Sequence, residues 1–275
     1  MKNVLIVGKN SYIGESFLHY MEQYPDEYAV SELDTIGLKP TPELFKGVDV
    51  IFCVAGIAHI RETKDNQALY FEINRDLVLD IASKAKEAGV RQFINLSTMS
   101  VYGKTTGTIT KNTAPAPENA YGKSKAQADE GIMSISDENF IYTCLRPPMV
   151  YGKNCKGNYQ ALRTFALKSP IFPDFKNRRS MVYIGNLCEF VKRCIDEELK
   201  GVFFPQNSEY TNTSRMVELI AQQHGKNIKL VRVFNGLIRL FRFNVIKKVF
   251  GDLTYEKTDL VDKYGFEESI VLTER

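Results

Sequence analysis

The chain has 275 residues, of which 44% are hydrophobic and 25% charged, with a formal net charge of +3. That length buries a sizeable core, enough for one large α/β domain or a domain plus a small lobe, and the composition is ordinary for a globular protein. So small a net charge excludes nucleic acid as the expected partner and is compatible with an anionic small ligand.

At the N-terminus, Met1-Lys2-Asn3 runs directly into an apolar stretch, leaving no room for a signal peptide. No apolar run approaches the ~20 residues that a membrane-spanning helix needs. Strands are predicted at Val4–Val7, Tyr28–Leu33, Val50–Val54, Gln92–Leu96 and Ile141–Leu145, each a short run rich in β-branched or aromatic residues. Helical periodicity falls between them at 12–24, 65–88 and 121–136. This alternation predicts an α/β fold of Rossmann type, a doubly wound parallel sheet over 1–150. Beyond 150 the rhythm breaks into loops rich in Gly, Pro and Asn, with helices at 186–197 and 213–224 and a strand at 201–204. Residues 151–275 therefore read as a smaller, irregular C-terminal lobe closing over the end of the sheet, with elements from 180–205 returning to the sheet domain. Cys53, Cys144, Cys155, Cys188 and Cys194 are scattered and form no CxxC pair, so a reducing, cytoplasmic setting is expected. No metal site is predicted.

In a parallel sheet of this kind, ligands bind at the carboxyl ends of the strands. The first strand runs into "VGKNSYIG", with Gly8 at the turn and Gly14 six residues on, and Ser11 where a third glycine would stand. Such a loop cradles a pyrophosphate on the following helix N-terminus, through Gly8, Ser11, Tyr12, Ile13 and Gly14; a plain strand-to-helix turn is the alternative. Asp34 ends the second strand, 20 residues after Gly14, where an acid takes the adenine-ribose hydroxyls and favours NAD over NADP. Glu32 is a rival for that role, and Lys9 or Lys39 would instead suit a 2′-phosphate. Ser11 at the middle position leads us to expect looser dinucleotide binding.

"NLSTMSVYG" (95–103) closes the fourth strand and "AYGKSKAQAD" (120–129) opens a helix. Tyr121 and Lys125 are four apart and share a helix face. A phenol titrates near ~10, and a neighbouring ammonium is expected to lower that value, making a usable proton donor. A hydroxyl from another element then positions a carbonyl oxygen. Tyr and Lys four apart also occur by chance on amphipathic helices; the joint presence of the glycine loop and the Ser-Thr strand end favours chemistry.

With these motifs in order, the chain resembles the extended short-chain dehydrogenase/reductase superfamily of sugar-nucleotide epimerases, dehydratases and reductases. It is most similar to the capsule and O-antigen branch that reduces UDP-4-keto-6-deoxy-N-acetylhexosamines. The resemblance implies catalytic Thr98, Tyr121 and Lys125. It places Ala55, Gly56 and Ala58 of "VAGIAHI" along the dinucleotide, His59 near the nicotinamide side, Asn74 on the following helix, and Pro148 of "LRPPMVYG" beside the nicotinamide. In the lobe it implies Asn158 and Tyr159 of "KGNYQ" at the nucleotide diphosphate and Phe172 of "SPIFPDF" at the uracil. Arg179 of "NRRSMVYIGNL" also falls at the diphosphate, with Arg178 competing, and Asn186 stands where the family has aspartate. Thr98, Met99 and Ser100 would face the sugar.

Dehydratases of the family carry an acid pair directly after the Thr, where this chain has Met99 and Ser100, so dehydration is disfavoured. The short run between Asp34 and Val50 fits an exchanging cofactor and hence a reductase using NAD(P)H, with the lean to NAD(H). A UDP-N-acetylhexosamine 4-epimerase and a non-catalytic dinucleotide sensor are the alternatives. A homodimer through 121–136 is compatible with the resemblance. The basic and apolar stretch 229–250 suits a membrane surface, although a strand and helix packed on the lobe is the preferred reading.

Overall fold

Runs such as Val50-Ile51-Phe52-Cys53 are apolar throughout because both sheet faces are covered, and every residue of that strand is buried. The computed structural model describes residues 1–275 except His59, Arg61, Phe234, 241–243 and 258–260. In chain order the first elements are β1 (Lys2–Val7), α1 (Tyr12–Met21), β2 (Tyr28–Leu33), β3 (Val50–Cys53), α2 (Gln67–Phe71), α3 (Val78–Glu87) and β4 (Gln92–Leu96). Then follow β5 (Gly107–Ile109), α4 (Ala120–Ile135), β6 (Ile141–Leu145), β7 (Met149–Tyr151), α5 (Asn158–Lys168), β8 (Ile171–Pro173), β9 (Met181–Tyr183) and α6 (Ile184–Asp196). The last are β10 (Gly201–Phe203), α7 (Thr213–Gln223), β11 (Lys229–Val231), α8 (Asn235–Leu240), α9 (Asn244–Phe250), β12 (Leu253–Tyr255) and α10 (Phe266–Glu274).

The chain divides into two compact units. The first comprises Met1–Gly103, Pro115–Pro147 and Leu187–Pro205. It holds a six-stranded sheet of order β10-β6-β4-β3-β1-β2, parallel throughout, which is the expected α/β architecture of Rossmann type. Its register sets Val7 beside Cys53, Cys53 beside Asn95 and Asn95 beside Cys144, so the strand ends that matter lie side by side. Helix α3 buries Val78, Ile81, Ala82 and Ala85, one helical stripe, in a core with Ile51, Phe93, Ala128, Ile132 and Phe140. Strand β2 is the sheet edge, and the link from it to β3 contains only one turn of 3₁₀-helix, Pro42–Phe45. The predicted helix over 65–88 is not uniform: between α2 and α3 the chain makes a π turn, Glu72–Leu77.

The second unit comprises Lys104–Ala114, Pro148–Asn186 and Gln206–Arg275. Among the described residues it contains three two-stranded parallel ribbons, β8–β11, β5–β12 and β7–β9, and α7 packs against both α5 and α10. Helix α10 is locked by Glu274, whose side chain is 1% exposed. Its Oε1 accepts from the Tyr159 hydroxyl at 2.7 Å; Arg163 Nε and His224 Nε2 each lie 2.7 Å from Oε2. Burial pushes this carboxyl up, but the hydrogen bonds outweigh it and hold it below its ordinary 4.5. A carboxyl whose pKa is depressed by folding stabilises fully above its unfolded value and loses that contribution as pH falls through its folded value. Glu274→Gln is therefore expected to melt below wild type at pH 7, with the gap closing as pH drops through and below the carboxylate range. Circular-dichroism melts across that range check this; a gap of constant size would assign the effect to packing instead.

Among the described residues, no helix is long and apolar enough to cross a membrane. The stretch 229–250 forms β11, α8 and α9, apart from Phe234 and 241–243, which lie outside the described residues.

Candidate active site

The loop after β1 turns at Gly8, φ +120, where a Cβ would fall 2.9 Å from the backbone nitrogen of Ala55. Asn10, φ 61, is a second positive-φ residue in the loop. Ser11 is extended, φ −84 and ψ 138, and its Oγ accepts from the Gly14 N–H at 3.1 Å. Ser11 is thus the N-cap of α1, and its backbone conformation has no need of glycine. The requirement falls on Gly14 instead, where a Cβ would stand 2.6 Å from the Ser11 Oγ. Tyr12 and Ile13 form the first turn of α1, where leading N–H groups lack intrahelical acceptors and suit a pyrophosphate. At the end of β2, Asp34 is exposed and its Oδ1 accepts from Ile36 N at 3.0 Å. Its rival Glu32 is half-buried, with one buried oxygen, Oε1, that has no hydrogen-bond partner among the described residues. Lys9 and Lys39 are both exposed.

Strand β3 delivers Ala55, Gly56 and Ala58, while His59 lies outside the described residues. A Cβ on Gly56 would fall 2.8 Å from Asn74 Oδ1 and 3.0 Å from Lys125 Nζ, so this loop closes tightly on both side chains. Asn74 is fully buried in the π turn. Its Oδ1 accepts from Ile57 N at 2.8 Å, and its Nδ2 donates to Ile57 O at 3.1 Å and to Ser124 Oγ at 3.3 Å. The π turn, a local insertion common at functional sites, so lets one amide tie the β3 loop to α4.

Helix α4 begins at two caps: the Asn119 side chain accepts from Gly122 N at 2.8 Å, and Glu62 Oε2 accepts from Ala120 N at 3.0 Å. Tyr121 follows directly. Its ring meets Tyr70 edge-on, centroids 6.3 Å apart, and its hydroxyl lies toward Thr98. Thr98 itself caps the 3₁₀ turn Met99–Tyr102, accepting from Ser100 N at 3.1 Å. Met99 is buried and Ser100 exposed. Lys125 is 4% exposed, and its ammonium donates to Ala55 O at 3.1 Å and Leu96 O at 3.0 Å. Thr98, Tyr121, Lys125, Asn74 and Gly56 are therefore one cluster in the first unit.

The electrostatics differ from the expectation that Lys125 lowers the Tyr121 pKa. Protein atoms crowd the hydroxyl although the side chain is partly exposed, and desolvation pushes the phenol up. The opposing pull toward phenolate comes from the Thr98 hydroxyl, not from Lys125, whose ammonium is turned to the two carbonyls. Burial in turn pushes the Lys125 ammonium down.

In the second unit, Pro148 is buried at the start of the link into β7, and Asn158 is exposed as the first residue of α5. Tyr159 and Phe172 are corrections. Tyr159 is 1% exposed, stacked on Tyr151 at 5.7 Å and 9°, with its hydroxyl committed to Glu274. Phe172 is 3% exposed and packed against Phe165 and Phe250, centroids 6.0 and 5.7 Å away. Both rings fill the core and present no face to a ligand. Arg179 is half-buried; its Nη1 donates to Gly251 O at 2.9 Å, and it has no ion pair among the described residues. Burial lowers its pKa, so its charge is better accommodated beside an anion. Arg178 is exposed and near Asp252, 3.7 Å away. Asn186 both donates to Tyr264 O at 3.0 Å and accepts from Tyr264 N at 2.9 Å, a double role that aspartate lacks.

Sequence reasoning passed over Glu62, Tyr70 and Asp129. Asp129 carried a signal, an acid four residues beyond Lys125 on the same helix face; Glu62 carried none, being 58 residues from the amide it caps.

The sequence model described as "Epimerase: NAD dependent epimerase/dehydratase family" matches residues 4–204. The chain belongs to that family. The enzyme is 27% identical over 290 residues to UDP-glucose 4-epimerase of Vibrio cholerae, covering 95% of this chain and 85% of that one. It is 24% identical to N-acetyl-alpha-D-glucosaminyl-diphospho-ditrans,octacis-undecaprenol 4-epimerase of Escherichia coli O157:H7, covering 90% of this chain and 81% of that one. Its fold matches the crystal structure of UDP-glucuronic acid 4-epimerase from Bacillus cereus, with TM-score 0.79 at 16% identity over 99% of this chain and 95% of that one. The enzyme is thus NAD(P)-dependent, and its chemistry is of the nucleotide-sugar 4-epimerase or reductase type. A Cβ at Gly8 would collide with the Ala55 backbone, at Gly14 with the Ser11 Oγ, and at Gly56 with Asn74 and Lys125, so close packing at the strand ends requires glycine at all three positions.

Proposed function

We propose that the enzyme reduces the C4 keto group of a UDP-4-keto-6-deoxy-N-acetylhexosamine with NAD(P)H, the first unit binding the dinucleotide and the second the sugar nucleotide. The observation that carries this over the alternatives is the sheet edge. A six-stranded dinucleotide sheet ordinarily has a further strand beyond the one bearing the ribose-binding acid. Here β2 is the edge, and one 3₁₀ turn replaces that strand. A shorter wall on the adenine side suits a dinucleotide that leaves after each turnover, as a reductase requires. Two features support the same direction. The raised Tyr121 pKa keeps the phenol protonated at neutral pH, the form that donates. Thr98 is followed by Met99 and Ser100 rather than by the acids of a dehydratase.

NAD(P)H held by the first unit would supply the hydride that the sugar C4 receives. Tyr121 gives its hydroxyl proton to the former carbonyl oxygen as negative charge develops there. Thr98 Oγ1 accepts from Ser100 N, and its single hydrogen, directed at the Tyr121 oxygen in the absence of substrate, would turn to the former carbonyl oxygen when the sugar is bound. Lys125, with one ammonium hydrogen left beside its bonds to Ala55 O and Leu96 O, would hold the nicotinamide ribose, and Asn74 keeps the β3 loop and α4 in register. Arg179 supports a diphosphate, because a guanidinium fork matches phosphate oxygens.

The second reading, a 4-epimerase, is favoured by the names of the two relatives aligned along 95% and 90% of the chain. Incubation with UDP-4-keto-6-deoxy-GlcNAc and NADH or NADPH distinguishes the two. Loss of reduced-nicotinamide absorbance with formation of a 6-deoxyhexosamine is expected. Interconversion of UDP-GlcNAc and UDP-GalNAc without added cofactor would establish the epimerase instead.

A further inference from the structure

Thr98 and Tyr121 stand on different elements, and the approach of their hydroxyls depends on how the turn after β4 is held against α4. Two backbone bonds fix that turn to the end of β6: Ser97 N to Leu145 O at 2.7 Å and Met99 N to Pro147 O at 3.0 Å. Neither reaches α4. Lys125 Nζ reaches Leu96 O from α4 at 3.0 Å, and Gly122 packs under Ser100 O; the side-chain link from α4 to the turn is the Asp129 carboxylate, two helical turns beyond Tyr121 and 1% exposed. Asp129 Oδ2 accepts from Ser97 Oγ at 2.7 Å and Arg146 Nε at 3.0 Å; Oδ1 accepts from Asn95 Nδ2 and Tyr142 OH, each at 3.1 Å. Arg146 in turn donates from Nη1 to Tyr102 OH at 2.8 Å, with its guanidinium carbon 5.3 Å from the Tyr102 ring centroid.

Ser97 is the residue before Thr98, and Tyr102 is the last residue of the turn that Thr98 caps. One carboxylate on the helix bearing Tyr121 and Lys125 thus grips the Thr98 turn at both ends, once directly and once through Arg146. Asp129, Arg146, Tyr102, Ser97 and Asn95 are all buried. A buried ion pair is a poor source of net stability compared with well-packed apolar groups, whereas its geometry is specific. We propose that Asp129, through Ser97 and through Arg146–Tyr102, is the positioning residue that sets Thr98 against Tyr121. This rests on the reading of Thr98 and Tyr121 as the reacting pair.

Removing Asp129 or Arg146 would strand a buried charge and threaten the fold. The test therefore uses Tyr102→Phe and Ser97→Ala, which cut each arm and leave the ion pair intact. Both are compared with wild type on UDP-4-keto-6-deoxy-GlcNAc and NADPH, or on UDP-GlcNAc if that is what wild type turns over. Turnover is expressed per dinucleotide-binding site counted by titration. Misplacing a positioning group by about an ångström costs up to roughly a hundredfold, so a loss of about tenfold in kcat per site is expected, with KM within about twofold. Unchanged kcat per site in both variants would overturn the proposal. So would a fall in activity matched by an equal loss of binding sites, the signature of a merely structural role. A crystal structure of Tyr102→Phe is the readout independent of any substrate: Thr98 displaced from Tyr121 supports the brace, and an unmoved Thr98 overturns it whatever the reaction.

Discussion

Replacing Tyr121 with phenylalanine is expected to lower turnover by roughly a thousandfold while leaving dinucleotide affinity within about twofold. The substitution removes one oxygen and keeps the ring, so the edge-on contact with Tyr70 and the start of α4 are preserved. What disappears is the proton donor. Without it the forming alkoxide has only the Thr98 hydroxyl, which stabilises charge but is far too weak an acid to discharge it. Lys125 does not substitute, because its ammonium is held between Ala55 O and Leu96 O. Steady-state kinetics with a fluorescence titration of NADH checks both halves. A variant retaining more than about a tenth of wild-type kcat would remove Tyr121 from the proton-transfer role.

Gly8→Ala is expected to be nearly as damaging by a different route. A left-handed φ of +120 is costly for alanine, and the new methyl would lie 2.9 Å from Ala55 N and 3.1 Å from the Val54 carbonyl carbon, both backbone atoms that cannot rotate away. Strain and overpacking together are worth on the order of 2–5 kcal/mol. The displaced segment is the one whose Ala55 carbonyl receives Lys125 and whose Gly56 abuts Asn74. Loss of NADH binding should therefore accompany a lower melting temperature. Gly265→Ala is the control, since nothing lies within 4 Å of a Cβ there. Equal melting temperatures and NADH affinities for the two variants would contradict this account of the loop.

The sheet was legible in the sequence because its strands are short, rich in β-branched and aromatic residues, and bounded by helical periodicity. Tyr28–Leu33, Gln92–Leu96 and Ile141–Leu145 fall where predicted. The grouping of Thr98, Tyr121 and Lys125, the proposed catalytic residues, was legible for a related reason: residues at strand ends in one parallel sheet are brought side by side, and Tyr121 and Lys125 share a helix. Contacts that depend on distant pairings were not legible. Tyr159 reads as a ligand-facing aromatic until Glu274, 115 residues later, takes its hydroxyl. The π turn at Asn74 was hidden because one extra residue in a helical turn barely disturbs an apolar stripe. Ser11 read as a damaged glycine, whereas its extended backbone makes it a helix cap. The expectation of looser cofactor binding now rests on the β2 edge rather than on that serine.

The most direct test is transfer of label. The enzyme is incubated with UDP-4-keto-6-deoxy-GlcNAc and NADH or NADPH deuterated at the nicotinamide C4, and the product is read by mass spectrometry and NMR. One deuterium at the sugar C4, and no product with Tyr121→Phe, is the expected result. Turnover in which no deuterium reaches C4, or no reduction of this substrate by an enzyme that interconverts UDP-GlcNAc and UDP-GalNAc on its own bound NAD, would contradict it.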